Sequence, residues 1–338
     1  MDSTAAASLL EFAERASAGA TGPNAKDSLE QLEQRSGDLL GAIAWFVDAG
    51  RTDEALRVAN ALYRFWITKQ RFDEGAVWFD RALAAPGGDG RLRGKACLNA
   101  GFMPFWMGHD ERASELFGQA LEIGRRVDDA PLISGALGGL ARVALRTDVA
   151  EGRRLAGEAL AVSDAAADQP GRSNALHLLG IGAQIAGDLM EARDWMTRRL
   201  ALLRETDNEF LIASEAANLS MVERQLGNLE TAEALIRETL QICQRIGDQF
   251  IRPFAISGVA AIALERGEFE RAGTLVGAAE AIMEAQQMAW PPDERPHYER
   301  MLAELPAAMG SDEFDRVRSL GRSMDASEAV HLALAPRS

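Results

Sequence analysis

The side chains best suited to chemistry are few in this chain: four histidines, His109, His177, His297 and His331, and two cysteines, Cys97 and Cys243. Catalysis by such groups needs a nucleophile beside a base, and metal binding needs several ligands converging on one point. His109-Asp110-Glu111 sets three metal-type donors in a row, but acids opening a helix are better explained by the positive end of its dipole. His177 has no cysteine or second histidine nearby in sequence; it reads either as a ligand contact or proton carrier, or as an ordinary polar contact on a helix. His297 and His331 fall late in the chain, apart from any nucleophile pattern. The cysteines lie far apart with no CxxC spacing, so neither a disulfide framework nor a zinc knuckle is suggested and a reducing cytoplasm fits. The nearest approach to a phosphate loop, Gly90-Arg91-Leu92-Arg93-Gly94-Lys95-Ala96, has the wrong spacing and no hydroxyl after the lysine. The expectation is a non-enzymatic protein that needs no metal or cofactor.

The elements that carry these residues repeat. Turn markers stand at Gln70, Gly108, Thr147, Gly187, Gly227 and Gly267, and each opens a similar segment, such as GDLMEA (187–192) and GNLETA (227–232). Five residues after each marker comes a small residue: Gly75, Ala113, Gly152, Ala192, Ala232 and Ala272. Three further on comes a bulky one: Trp78, Leu116, Leu155, Trp195, Leu235 and Leu275. A small residue lets two helix backbones approach, and the bulky one a turn later fills the space beside them. A second set of breaks interleaves with the first, at Gly50, 86–90, Asp128-Asp129, 168–171, Asp207-Asn208 and Gly247-Asp248. The segments between are rich in Ala, Leu, Arg and Glu with apolar residues at three and four spacing, which is the amphipathic-helix pattern. Six helix pairs follow, over 53–85, 91–126, 130–165, 170–205, 209–246 and 249–287. Residues 1–52, with an apolar helix around Leu29 to Val47, form an N-terminal cap. Residues 288–338, with short helices near 294–304, 311–321 and 326–335, form a C-terminal cap. Thr147 replaces a turn glycine, so the third turn is expected to be tighter. Trp45, Trp66, Trp78 and Trp195 fall at packing positions, while Trp290, beside two prolines, reads as an exposed edge.

Composition narrows the function classes. The chain has 338 residues, 47% of them hydrophobic, with a formal charge of −15. Such a charge repels a phosphate backbone, so direct nucleic-acid binding is not expected. The N-terminus carries acids where a secretory signal needs basic residues, and no apolar run is long enough to span a bilayer. A cytoplasmic protein without membrane contact is expected.

The leucine, small residue, glycine and alanine spacing resembles the tetratricopeptide repeat, with a period nearer 40 than the roughly 34 of that family. The runs LEQLEQRSGDLLGAIAWFVDAG (29–50), ALYRFWITKQRFDEGAVWFDRAL (61–83) and SDEFDRVRSLGRSMDASEAVHLAL (311–334) look like the C-terminal sensor region of MalT-like and NB-ARC-type bacterial transcriptional regulators. The resemblance implies an all-α fold, a right-handed superhelical solenoid of helix pairs about 40 residues each with irregular helical end caps. It also implies recognition in a concave groove lined by the first helix of each pair. The ATPase and DNA-binding domains of such regulators have no counterpart among these residues.

Transferring the family's groove positions gives a candidate lining. The first pair contributes Arg57, Asn60 and Arg64, and the second Lys95, Leu98, Phe102, Phe105 and Trp106. The third contributes Arg142 and Arg146, the fourth Asn174, His177, Ile181 and Gln184, and the fifth Arg224. This lining is basic and aromatic in an acidic chain, which points to a peptide, protein or small anionic effector as ligand. The competing reading is that these arginines pair with local acids and the aromatics belong to the core between repeats. At the level of the whole chain, the leading expectation is an effector-binding module of a transcriptional regulator. The alternatives are a free-standing protein–protein scaffold and an enzyme built into the groove.

Overall fold

The computed structural model describes residues 1–19, 25–206, 208–286, 288, 290 and 295–336. The expected break residue Asp207, the pair Pro291-Pro292 and the expected boundary positions 287, 294 and 338 lie outside them. Every regular element among the described residues is an α-helix. The chain divides into two compact units, Met1–Gly187 and Asp188–Ser338.

The first unit holds α1 (Ser3–Gly19), α2 (Ala25–Gln34), α3 (Ser36–Asp48), α4 (Thr52–Thr68), α5 (Phe72–Ala84), α6 (Gly90–Trp106), α7 (Asp110–Arg126), α8 (Ala130–Ala144), α9 (Val149–Ala165) and α10 (Gln169–Ile185). Neighbouring first helices touch, α4 with α6, α6 with α8, and α8 with α10, whereas second helices α5, α7 and α9 do not meet one another to that extent. The layer of first helices is therefore the closer-spaced, inner side of this unit. At its start α1 packs on α4 as each first helix packs on the next. The second unit holds α11 (Leu189–Arg204), α12 (Glu209–Gln225), α13 (Leu229–Ile246), α14 (Arg252–Glu265), α15 (Phe269–Ala285), α16 (Arg295–Met309), α17 (Ser311–Arg322) and α18 (Ala326–Leu334).

Left-handed residues reverse the chain at turns inside and between pairs, the latter including Asp128, Ala167 and Gly247. Inside a pair, the marker residue takes a left-handed conformation: φ is 53° at Gln70, 78° at Gly108, 80° at Gly187, 81° at Gly227 and 78° at Gly267. The following amide then reaches back to a carbonyl five residues earlier, as His109 N to Pro104 O at 2.8 Å and Asn228 N to Glu223 O at 2.9 Å. Between pairs, an Asp or Asn side chain accepts from the first-turn amides of the next helix. Asp89 takes Arg91 and Leu92, Asp129 takes Leu132, Asp168 takes Gly171, Asn208 takes Leu211 and Asp248 takes Ile251. The small residues after each marker are all buried. Gly152 shows why: a Cβ there would lie 2.7 Å from a methyl of Leu145 and 3.0 Å from its backbone nitrogen.

Three expectations need correction. The Thr147 turn is longer, not tighter: four residues (145–148) separate α8 from α9, against three (107–109) between α6 and α7. Without a residue that enters the left-handed region cheaply, the chain unwinds through ordinary short-range bonds, Arg146 N to Val143 O and Thr147 N to Ala144 O, and Asp148 adds a side-chain cap at Glu151 N. The Leu29–Val47 helix is two helices, broken at Arg35 between α2 and α3. The helix expected near 294–304 is longer: α16 runs on to Met309 with Pro306 inside it.

The last pair is closed by glycine-mediated contact. A Cβ on Gly277 would sit 2.0 Å from the carbonyl oxygen of Arg318, and one on Gly321 would sit 1.8 Å from that of Thr274. The backbones of α15 and α17 thus touch directly. Beside them the carboxylate of Glu280, only 4% exposed, accepts from Arg318, Arg322 and the Tyr298 hydroxyl. The adjacent Trp290 is half-buried, stacked on Tyr298 at 4.5 Å, so it is part of the packing rather than an exposed edge.

Gly321→Ala and Gly227→Ala separate the two uses of glycine. Gly227 has open space around it and a φ of 81°, so alanine there costs about 1 kcal/mol of backbone strain. Alanine at Gly321 must push two helices apart and is expected to cost about 3 kcal/mol or more. Urea unfolding curves of the two variants give the comparison, and equal midpoints would contradict it.

Candidate functional site

Three inner helices of the first unit differ in charge from α4, whose first turn holds Asp53 and Glu54. α6, α8 and α10 contain no aspartate or glutamate, yet carry Arg91, Arg93, Lys95, Arg142 and Arg172. The outer helices take the acids instead, with Asp73, Glu74 and Asp80 on α5, Asp110, Glu111, Glu115 and Glu122 on α7, and Glu151, Glu158 and Asp164 on α9. The cations of these helices therefore find partners only outside them, Arg91 at Asp129 and Arg172 at Asp164, and Lys95 is left exposed.

The structure sorts the expected lining into committed and uncommitted residues. Arg57 is clamped by Glu14 of α1 at 2.8 and 2.7 Å. Asn60 bonds the Leu92 carbonyl and accepts from Asn99, tying α4 to α6. Arg146 bonds Asp110 and the Phe105 carbonyl and lies over the Phe105 ring at 4.0 Å. Phe105 itself is buried, and Leu98 and Phe102 pack against the core around Phe117. Arg224 in the second unit is buried at 7% exposure between Glu265 and His297. His177, Ile181 and Gln184 are half-buried along α10. His109 and His331 are exposed, and Gly90 to Ala96 form the first turns of α6, not a loop.

Arg64, Lys95 and Trp106 remain outward. Arg64 and Lys95 are exposed and make no hydrogen bond or ion pair among the described residues. Trp106 is 53% exposed, loosely stacked on Phe72 at 6.5 Å and set edge-on to Phe105 at 5.2 Å. Arg142, on the next first helix, donates to Asn174 Oδ1 at 2.7 Å. That bond exists because Gly138 has no side chain: a Cβ there would be 2.5 Å from Asn174 Nδ2. Burial pushes the Tyr63 phenol up to about 12, against the pull of Arg64 and Arg142 toward the phenolate. Arg142 on α8 is therefore close enough to act on Tyr63 of α4, two first helices away. Tyr63, whose ring lies 6.0 Å from Phe102, was not on the expected lining. Its place one residue before Arg64, facing the next helix, is the signal that would have found it.

A cleft of about 240 Å³ lies elsewhere, lined by Leu83, Arg93, Cys97, Gln119, Glu122, Ile123 and Arg126. Its Arg93 is already bonded to the carbonyls of Leu83, Ala85 and Gly87, closing the C-terminal end of α5. Among the described residues no group of three or more His, Cys, Asp or Glu is placed to hold a metal ion, and no helix is long and apolar enough to cross a membrane.

No protein-family model and no curated protein sequence matches the chain. Solved structures do, at low identity. A signal transduction ATPase with numerous domains (STAND) and a tetratricopeptide repeat sensor, from Pyrococcus horikoshii, aligns with a TM-score of 0.60 and 13% identity over 88% of this chain and 46% of that one. Aspartyl phosphate phosphatase F from Bacillus subtilis aligns at 0.54 and 10% identity over 93% and 96%. A Rap protein complexed with competence and sporulation factor aligns at 0.54 and 12% over 88% and 99%. The fold is that of tetratricopeptide-like helical repeats.

Both cysteines are built into packing rather than reactivity. Burial pushes the Cys97 thiol up, and burial together with the charge of Asp248 pushes Cys243 up to about 12. Burial therefore disfavours the reactive thiolate form at both positions. An aromatic disulfide reagent should titrate neither thiol in the native protein and both in denaturant. Prompt reaction of the native chain would contradict this placement.

Proposed function

We propose that the protein is a binding module whose first unit holds an acidic segment of a partner protein on its inner helices. One observation carries this reading: α6, α8 and α10 have no carboxylate, while Arg64 and Lys95 are exposed without partners. Charged groups left unpaired on a surface with no opposing charge are available to an incoming anion, and they cost it little desolvation. Hydrophobic contact would come from the exposed indole of Trp106. The finer role is that of a sensor in a bacterial signalling regulator. It is supported by fold likeness to a protein described as having a tetratricopeptide repeat sensor and to one complexed with a competence and sporulation factor. A cytoplasmic location is consistent with two buried, unpaired cysteines.

A second reading, a scaffold joining two partners, is favoured by apolar side chains exposed in the second unit: Phe210, Ile246 and Phe250. In that case the acidic partner occupies the first unit and a different, apolar partner the second.

Acidic peptides are expected to bind in fluorescence anisotropy at low salt and to weaken as salt rises, while basic peptides of the same length do not bind. Arg64→Glu combined with Lys95→Glu should lower that affinity at least about tenfold, that is about 1.4 kcal/mol, with an unchanged circular dichroism spectrum. Equal affinity of the double variant would remove the proposal.

A further inference from the structure

The seat for the anion and the exposed indole stand in a fixed relation, and this relation specifies the ligand further than charge alone. Arg64 lies six residues before the Gln70 marker and Phe102 six before Gly108; Arg142 holds the same place in the shifted third pair. These three side chains thus occupy one level of three neighbouring helices, with Phe102 between two cations. Tyr63 joins the same level, its ring against Phe102 and its phenol within the field of both arginines. Asn174 holds Arg142 from the far side. Trp106 follows Phe102 by four residues on α6, one helical turn and about 6 Å along its axis. It is the large apolar side chain left open on that helix, at 53% exposure.

An extended peptide repeats its side-chain direction every second residue, at a spacing of about 6.6 Å. One helical turn on α6 and one two-residue step of a strand therefore match. An adjacent pair would point its two side chains to opposite sides, and a pair four apart would overshoot by about the length of another step.

Resting on the reading of the first unit as an acidic-peptide site, we infer that its preferred ligand is an extended protein segment with a carboxylate side chain at one position and a bulky apolar side chain two positions away. The carboxylate sits between Arg64 and Arg142 beside Phe102, within reach of both guanidinium groups. The apolar residue covers Trp106 and Phe72. The charge of the surface admits many acidic segments, and the indole selects among them.

The test is selection of a random peptide display library on the immobilised full chain. Enriched sequences should share Asp or Glu and a Trp, Phe, Leu or Met two residues from it. Selection on Trp106→Ala, a position 53% exposed, should keep the acidic preference and lose the apolar one, with an unchanged circular dichroism spectrum. Peptides from the first selection should bind that variant about tenfold more weakly. Selection on Arg64→Glu should lose the acidic preference. Acidic enrichment without an apolar partner at that spacing, or an apolar preference that survives Trp106→Ala, overturns the inference while the acidic-peptide site stands. Loss of any acidic preference on the unaltered chain overturns both.

Discussion

Everything in this fold depends on how closely two helix backbones approach just after the turn that joins them. A buried Gly or Ala recurs there from Gly75 to Ala272, and at Gly152 even a methyl would strike the preceding helix end. With the pair closed at that point, the rest of each helix diverges just enough to receive bulky neighbours such as Leu116 and Leu275, both nearly inaccessible. The left-handed marker residue serves the same end by reversing the chain in three residues. Side-chain caps are concentrated at the turns between pairs, where the first amides of the next helix need acceptors.

Much of this was legible in the sequence because each cue is local. The marker, the small residue and the bulky residue lie within one short run, as Gly187 to Trp195, and the pairs at 130–165 and 209–246 match the observed helix limits. The first helix, within the expected N-terminal cap, carries its own signal: apolar Ala6, Leu9, Leu10, Ala13 and Ala16 at three and four spacing, all buried. What the sequence could not show is which groove cations are already engaged. Arg57 finds Glu14 at a separation of 43 residues, Arg224 finds Glu265 at 41 and His297 at 73. Such partners are set by stacking, and no window of periodicity contains both ends. Arg64 looks like Arg57 in sequence; only the packed structure separates the uncommitted one from the clamped one.

The two units treat charge differently, and this is the main reason for locating recognition in the first. Its inner helices α6, α8 and α10 exclude carboxylates, whereas α12 buries Glu215 against Arg199, and Glu223 accepts from Asn228. α14 ends in Glu265, which neutralises Arg224. Buried pairs of this sort contribute little net stability, because desolvation offsets attraction, but removing one partner leaves a costly lone charge. In the second unit charge is therefore used to hold helices in place; in the first, Arg57 and Arg146 do the same while Arg64 and Lys95 are left at the surface.

The contact between α15 and α17 has a further consequence for how such an array can change length. Because glycine backbones from both helices occupy one another's surface, α15 offers no groove into which another repeat could stack, and Glu280 with its arginines fastens the arrangement. A helix pair duplicated upstream meets the same kind of neighbour on each side and is tolerated in principle. The same insertion after α15 would have to evict α17. The molecule thus behaves like a growing polymer whose tip has been chemically blocked, extensible from within and not from that end.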